Sequence, residues 1–298
     1  MKRILLIYNP NAGNGVFTLH LDAVVAAFAE QGMILVPIRL GSPITLDQAM
    51  TKLPIREYHK IIAAGGDGTI NLVVNALVKH DIYIPLAIFP SGTANDLAAY
   101  FDIPTTVDEM LKIALSENYT PMDVGTAGSR CFANVLAIGM LVDISQKTDP
   151  TIKDTLGLGA YYLRALAEVP FARATNIRIT CDERIVEAET SAVIIMNGRS
   201  AGGFKHIAPH SEINDGKLDV VIFHKLILPV MLPVLLNVMA GQHLDDKRVE
   251  YFKTARMRIE SDEAAVNTDV DGERGDPLPL EVGVLPKRLL INTREHTA

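Results

Sequence analysis

The sequence predicts an α/β domain with a mostly parallel sheet, followed by a β-rich antiparallel sandwich or barrel. Three observations carry this. Apolar strands alternate with helical patterns through the first part of the chain, two of those strands run straight into glycine loops, and beyond Val124 the texture changes to β-branched, strand-like segments.

In the first part, Arg3–Tyr8, Ile34–Leu40, His59–Ala63 and Ile84–Phe89 are short apolar runs and read as strands. Leu21–Glu30 and Ile70–Lys79 repeat apolar residues at helical spacing. Such alternation builds a sheet covered on both faces. In the second part, strands are expected at Thr175–Cys181, Ile185–Met196, Leu218–Phe223, Arg256–Ile259 and Leu278–Val284. Two helices are expected there, Gly157–Val169 and Leu226–His243. The expected domains are residues 1–124 and 125–298, with the last residues free to return to the first domain.

A chain of 298 residues that is 48% hydrophobic supplies enough core for two domains. Its net charge of −7 and the absence of a basic stripe argue against a nucleic-acid partner. Cys131 and Cys181 have no paired spacing, which leaves no disulfide framework or thiolate zinc site and fits a reducing compartment. Met1–Tyr8 is basic and then apolar, but Asn9-Pro10 ends the run and no small-residue cleavage site follows, so it reads as a strand. The apolar stretch Leu226–Ala240 falls short of the roughly 20 residues that span a bilayer and contains Pro229 and Pro233. A cytoplasmic protein without a transmembrane segment is expected, with peripheral attachment at the inner face of the membrane as an option.

Gly65-Gly66-Asp67-Gly68-Thr69 lies where a buried strand hands over to a helix. Its glycines let backbone N–H groups approach an anion, and the positive end of the helix adds to the attraction. A carboxylate such as Asp67 is repelled by phosphates unless a divalent cation lies between them, so the loop reads as a metal-nucleotide site. Pro90-Ser91-Gly92-Thr93-Ala94-Asn95-Asp96 is a second glycine loop, and Asn9-Pro10-Asn11-Ala12-Gly13 offers a third wall. Ligands of open α/β sheets gather at the carboxyl ends of strands, where all three lie. The G-x-x-x-x-G-K-[ST] and G-x-G-x-x-G patterns are absent, as are protein-kinase signatures. A structural turn is the bland alternative for Gly-Gly-Asp-Gly.

Four segments in order, Gly65–Asn71, Pro90–Leu97, Asn214–Leu218 and Asp269–Glu273, resemble the diacylglycerol kinase catalytic domain in its soluble bacterial form, related to the sphingosine kinases. They span nearly the whole chain. The resemblance implies a two-domain kinase with ATP at the first glycine loop and a β-rich domain facing it across a cleft. By similarity, Asn9, Gly13, Gly65, Gly66, Asp67, Gly68, Thr69, Asn71 and Thr93 contact the nucleotide. The family often carries a further contact, a threonine near the end of the second strand; Ile38-Arg39-Leu40-Gly41 stands there instead.

Glu273 matches the family's proton acceptor, and a lipid hydroxyl needs one, being a poor nucleophile until a base takes its proton. A solvated turn carboxylate is the alternative. Asp67 and Asp123 are candidates for holding catalytic Mg²⁺, directly or through water, because magnesium takes a few carboxylates with phosphate oxygens and retained waters. Asp123 can also be an ordinary strand-end carboxylate. Similarity adds a structural Mg²⁺ site from the Asp215 carboxylate and backbone carbonyls at Glu212 and Lys217, on a stretch that also suits a hairpin turn.

Three functions are expected in turn: an ATP- and Mg²⁺-dependent lipid kinase acting on a hydroxyl of a lipid such as diacylglycerol at a membrane surface; a kinase of a soluble hydroxyl compound; and a nucleotide-sensing module without transfer. These motifs do not specify the lipid. His206 and His210 stand four apart, but Pro209 intervenes and no third ligand is near. Arg199 and Lys205 read as a solvated loop, with phosphate or substrate contact as the alternative. Leu226–Ala240 is apolar around its circumference and is expected to be buried, with an exposed patch for lipid as the other reading. An exposed sheet edge able to pair two copies makes a homodimer an expectation.

Overall fold

Ile4, Leu5, Leu6 and Ile7 of strand β1 (Arg3–Tyr8) are all fully buried, which only a strand covered on both faces achieves. The computed structural model describes residues 1–43, 45–139, 142, 174–263 and 266–295, and the expected helix Gly157–Val169 lies outside them. β1 pairs in parallel with β2 (Ile34–Arg39) on one side and β3 (Lys60–Gly65) on the other, and β3 pairs in parallel with β4 (Leu86–Pro90). The order is therefore β2-β1-β3-β4. Helices α1 (Val16–Leu19), α2 (Leu21–Glu30), α3 (Leu46–Lys52), α4 (Asp67–Lys79), α5 (Asp96–Tyr100) and α6 (Val107–Leu115) fall between or after these strands, as parallel pairing requires. Val24 and Phe28 of α2 and Met110, Leu111 and Ala114 of α6 share one apolar cluster with Ile4, Leu6, Ile62 and Phe89.

One charged side chain interrupts this interior. Lys60 is 2% exposed, and its Nζ donates to the Ala114 carbonyl at 2.6 Å and the Ser116 carbonyl at 2.7 Å, capping the end of α6. Burial pushes its ammonium down to about 8.

The chain divides into two compact units, Met1–Val124 with Pro286–Ala298, and Gly125–Leu285. Strand β5 (Tyr119–Ala127) runs from the first into the second, and the last strand, β15 (Leu280–Asn292), runs back, with Ile291 beside Leu86 in parallel register.

The second unit is antiparallel. β6 (Arg130–Phe132) pairs with β5, and β7 (Val135–Gly139), β8 (Thr175–Cys181) and β10 (Leu218–His224) all pair with the long β9 (Ile185–Met196). β11 (Val249–Thr254) extends β10, β12 (Arg256–Ser261) joins β8 to β15, and β13 (Thr268–Val270) joins β7 to β14 (Glu273–Arg274). Alternate residues of β9 face opposite sides: Val193 and Ile195 enter one apolar cluster, and Ala192, Ile194 and Met196 enter another.

The second cluster is closed by helix α7 (Leu228–Ala240) through Met231, Val234 and Val238. The helix is shorter than the expected Leu226–His243 because Ile227 is extended and Gly241, at φ 70°, ends it in a left-handed cap. The expectation of burial around its circumference is corrected. Leu232, Leu236 and Met239, with Ile227 before them, are each about half exposed, since one helix on one sheet buries only one stripe.

Candidate active site

Because β1, β3 and β4 lie side by side in parallel, the loops after them converge. The Ser91 N–H donates to the Gly65 carbonyl at 3.0 Å, and the Asn9 N–H donates to the Ala64 carbonyl at 2.9 Å. Asn9 Nδ2 donates to Thr69 Oγ1 at 3.3 Å, while Asn9 Oδ1 accepts the Asn11 N–H. The glycines permit contacts that no other residue allows. A Cβ on Gly92 would lie 2.5 Å from Gly66 Cα, and one on Gly13, whose φ is 55°, would lie 2.0 Å from the Ser91 carbonyl oxygen. A Cβ on Gly65 would strike the Thr69 side chain at 2.3 Å. Gly68 differs: nothing lies within 4 Å of its Cβ position, so the first turn of α4 borders open space.

Asp67 opens α4 and turns toward the second loop. Its Oδ1 accepts the Leu97 N–H at 3.4 Å, and backbone N–H groups of Asn95 and Asp96 also favour the ionised form. Burial outweighs them and pushes the carboxyl up. Asn95 shapes that loop: at φ 51° it accepts the Gly92 N–H at 2.8 Å and returns a bond to the Gly92 carbonyl at 2.8 Å. Ser91 Oγ is shut off from solvent and has no hydrogen-bond partner among the described residues. Thr93 is exposed on the same loop. Asn71 is buried one turn into α4, where its side-chain oxygen accepts from Asn75 at 2.8 Å. Asp123 on β5 is completely buried, and its Oδ1 accepts the Lys287 N–H at 2.6 Å.

In the second unit, Glu273 follows a two-residue turn. Asp271 (φ 50°) and Gly272 (φ 85°) both adopt left-handed backbone, the requirement of a tight hairpin joining Val270 to Glu273, and Asp-Gly is the pair that tolerates it. The Asp271 carboxylate accepts three backbone N–H groups, from Ala133 at 2.7 Å, Asn134 at 3.2 Å and Val135 at 2.7 Å, which bolts the turn to the segment between β6 and β7. Asp269 Oδ1 accepts the Gly272 N–H at 2.7 Å. The Glu273 side chain points outward, and its Oε2 accepts from Arg130 Nη1 at 2.6 Å. Sequence reasoning missed Arg130 and the anchoring role of Asp271, because their partners lie 143 and 136–138 residues away.

Asp215 is placed to hold a cation, and Lys253 is one that it holds. Its Oδ1 accepts the Lys217 N–H at 2.9 Å, its Oδ2 accepts from Lys253 Nζ at 2.8 Å, and the Glu212 carbonyl accepts the Asp215 N–H at 3.4 Å. Lys253 also lies 3.8 Å from the buried Asp219, to which Tyr251 donates. Burial pushes the Asp219 carboxyl up. Among the described residues no group of three or more His, Cys, Asp or Glu converges as a metal cluster, His206 and His210 included. His206 packs against Gly241, and His210 meets the Tyr251 ring. Arg199 Nε donates to the Ser211 carbonyl at 3.0 Å, and Lys205 is exposed.

Glycine loops gathered at the carboxyl ends of parallel strands, joined in one chain to a β-rich unit that carries a carboxylate on a rigid turn, define a two-domain phosphotransferase with an alcohol group as acceptor. The comparisons with known proteins agree. The diacylglycerol kinase catalytic domain family matches residues 3–127, and the YegS C-terminal NAD kinase beta sandwich-like domain matches residues 135–293. A diacylglycerol kinase of Bacillus subtilis (strain 168) is 33% identical over 284 residues, covering 94% of this chain and 93% of its own. Another, from Staphylococcus saprophyticus, is 29% identical over 281 residues, covering 93% of this chain and 91% of its own. The crystal structure of a diacylglycerol kinase from Bacillus anthracis str. Sterne superposes with a TM-score of 0.81 at 25% identity, over 100% of this chain and 99% of that one. The chain belongs to the diacylglycerol kinase family of lipid kinases.

Proposed function

We propose that this chain transfers the γ-phosphoryl group of ATP, with Mg²⁺, to a hydroxyl of diacylglycerol or a closely similar lipid. The convergence of the Asn9–Gly13, Gly65–Thr69 and Pro90–Asp96 loops carries this reading: it supplies backbone donors, a helix N-terminus and, at Gly68, open space, the surroundings that phosphates require. Asn9, Gly13, Gly65, Gly66, Asp67, Gly68, Thr69, Asn71 and Thr93 form the nucleotide side. The unpartnered Ser91 hydroxyl suits a phosphate oxygen, and the partly desolvated Asp67 carboxyl suits a cation that would relieve its burial. Asp67 and Asp123 would hold Mg²⁺, which neutralises phosphate charge as it is transferred.

Glu273 accepts the proton of the lipid hydroxyl as its oxygen forms a bond to the γ-phosphorus. The bond from that phosphorus to the bridging oxygen breaks, and its electron pair leaves with the nucleoside diphosphate. A divalent ion at Glu212, Asp215 and Lys217 would share Asp215 with Lys253, and no step of the transfer depends on it.

A lipid substrate implies a membrane surface, and the apolar outer stripe of α7 supports peripheral attachment there; liposome sedimentation tests it. Among the described residues no single helix is long and apolar enough to cross a membrane. A homodimer is proposed through β2, which ends the strand order, and light scattering in solution measures it. The decisive experiment incubates the protein with labelled ATP and Mg²⁺ against diacylglycerol, monoacylglycerol, phosphatidylglycerol, polyprenol, sphingoid bases and water-soluble alcohols. Label in diacylglycerol upholds the proposal; label only in a soluble alcohol, or nucleotide binding without transfer, overturns it.

A further inference from the structure

We propose that Arg130 is a positioning residue for the phosphoryl transfer, which fixes Glu273 through one carboxylate oxygen and leaves the other oxygen for the substrate proton. This rests on the reading of Glu273 as proton acceptor.

Glu273 occupies the first position of a two-residue strand and its side chain is 53% exposed, so packing alone does not hold it. A long carboxylate in that setting samples several rotamers. What selects one is Arg130 on β6, whose Nη1 donates to Oε2 at 2.6 Å. The contact uses a single guanidinium nitrogen and a single carboxylate oxygen. Oε1 accepts no hydrogen bond among the described residues, and it is the atom left for a hydroxyl proton. A bidentate clasp would occupy both oxygens and remove the base.

Both ends of the pair are anchored. Arg130 stands two residues after Gly128, which at φ 56° turns β5 into β6, and the intervening Ser129 is held by Asp276, which accepts its N–H at 2.8 Å and its hydroxyl at 2.7 Å. Glu273 stands directly after the turn fixed by Asp271. The other charged groups around it are accounted for. Asp269 accepts Gly272, Asp271 accepts three backbone N–H groups, Asp276 accepts Ser129, and Arg274 donates to Asn267 Oδ1 at 3.1 Å. Among these groups, Arg130 is the cation directly bonded to Glu273.

The arrangement has a chemical consequence. With one rotamer selected, Oε1 meets each incoming hydroxyl from a fixed position, so the base does not have to be oriented anew at every turnover.

The test compares wild type with Arg130→Met, Arg130→Lys and Glu273→Gln. One readout is the split between kcat and KM with ATP and diacylglycerol in mixed micelles; the other is the thermal midpoint, which reports the fold and needs no substrate. Arg130→Met is expected to lower kcat by about five-fold, the scale of a partly exposed ion pair, with the KM for ATP and the thermal midpoint unchanged. Arg130→Lys, which keeps a cation able to make one bond, is expected to restore most of kcat. If Glu273→Gln is inactive while Arg130→Met keeps the wild-type kcat, the role of Arg130 is overturned and the base assignment stands. If Glu273→Gln turns over normally, the base assignment itself falls. Should Arg130→Met fail to fold, Arg130→Gln takes its place: a wild-type kcat in it overturns the proposal, and a several-fold lower kcat that Arg130→Lys restores supports it.

Discussion

The glycine-loop site of the first unit and the Asp-Gly-Glu turn of the second reach functional geometry by opposite means. The first is built largely of backbone, with Gly66 against Gly92, Gly13 under the Ser91 carbonyl and Gly65 against Thr69, at separations that leave no room for a methyl group. The second is built of side chains, a carboxylate anchoring the turn and a partly exposed ion pair holding Glu273, the proposed base. A backbone-made site therefore fails by steric clash and takes local stability with it. A site made of exposed side chains can lose its chemistry while the fold persists.

The largest effect separates chemistry from fold. Glu273→Gln should lower kcat by about 10²- to 10⁴-fold while leaving the thermal midpoint and ATP affinity unchanged, measured by steady-state kinetics, calorimetry and nucleotide titration. A large loss of stability would show that the turn depends on this carboxylate for its shape and would break the contrast. Next, Gly65→Ala should destabilise the protein by about 1–3 kcal/mol in urea melts, because its methyl group meets Thr69. Gly68→Ala, whose methyl group meets nothing, should melt like wild type yet raise the KM for ATP, because open space is where phosphate is proposed to lie. Equal melting of the two variants would refute the steric account. Asp271→Asn should cost about 1–3 kcal/mol by weakening three backbone hydrogen bonds, and should reduce kcat without changing ATP affinity.

The smallest effects are pH dependences, of the same sign in the two units but in different pH ranges. Lys60 is pushed by burial to about 8 from 10.5, so the unfolded chain binds more protons between those values and stability rises as pH climbs from 8 to 10.5. Lys60→Met should abolish that rise. In the second unit, burial lowers His243, whose Nε2 bonds the Ile207 carbonyl at 2.9 Å, below 6.5. Below pH 6.5 the unfolded chain takes a proton that folded His243 resists, so stability drops as the pH is lowered, and His243→Phe should flatten this slope. The raised Asp219 works against that trend in acid, since protonation relieves its burial. Hydrogen exchange read separately over residues 60–64 and 218–223 resolves the two slopes.

Much of the fold is legible in the sequence where one periodicity and clear turn residues bound a segment. β8 and β9 match their expected limits at Thr175–Cys181 and Ile185–Met196 because β-branched residues recur along both segments and the polar turn Asp182-Glu183-Arg184 separates them. β3 runs two residues beyond the expected Ala63, to Gly65, because the sheet draws the first glycine into its ladder opposite Pro90. Short α6 and β11 carry patterns too brief to stand out, and neighbours decide them. At the site, the three loops are legible because glycines with an acid mark a strand-to-helix turn. The direction of the Asp67 carboxyl is not, since it depends on the N–H groups of a loop thirty residues away.

The sequence by itself determined the alternation of strand and helix, the glycine loops, the Asp-Gly turn and the resemblance to a lipid kinase family, because each is written in residues near one another along the chain. Only the tertiary structure decided that the stretch from Pro286 returns to the first unit, that α7 keeps an apolar face uncovered, and that Arg130 meets Glu273. Those outcomes depend on contacts between distant residues, which sheet pairing and the burial of apolar surface bring together and no local pattern records.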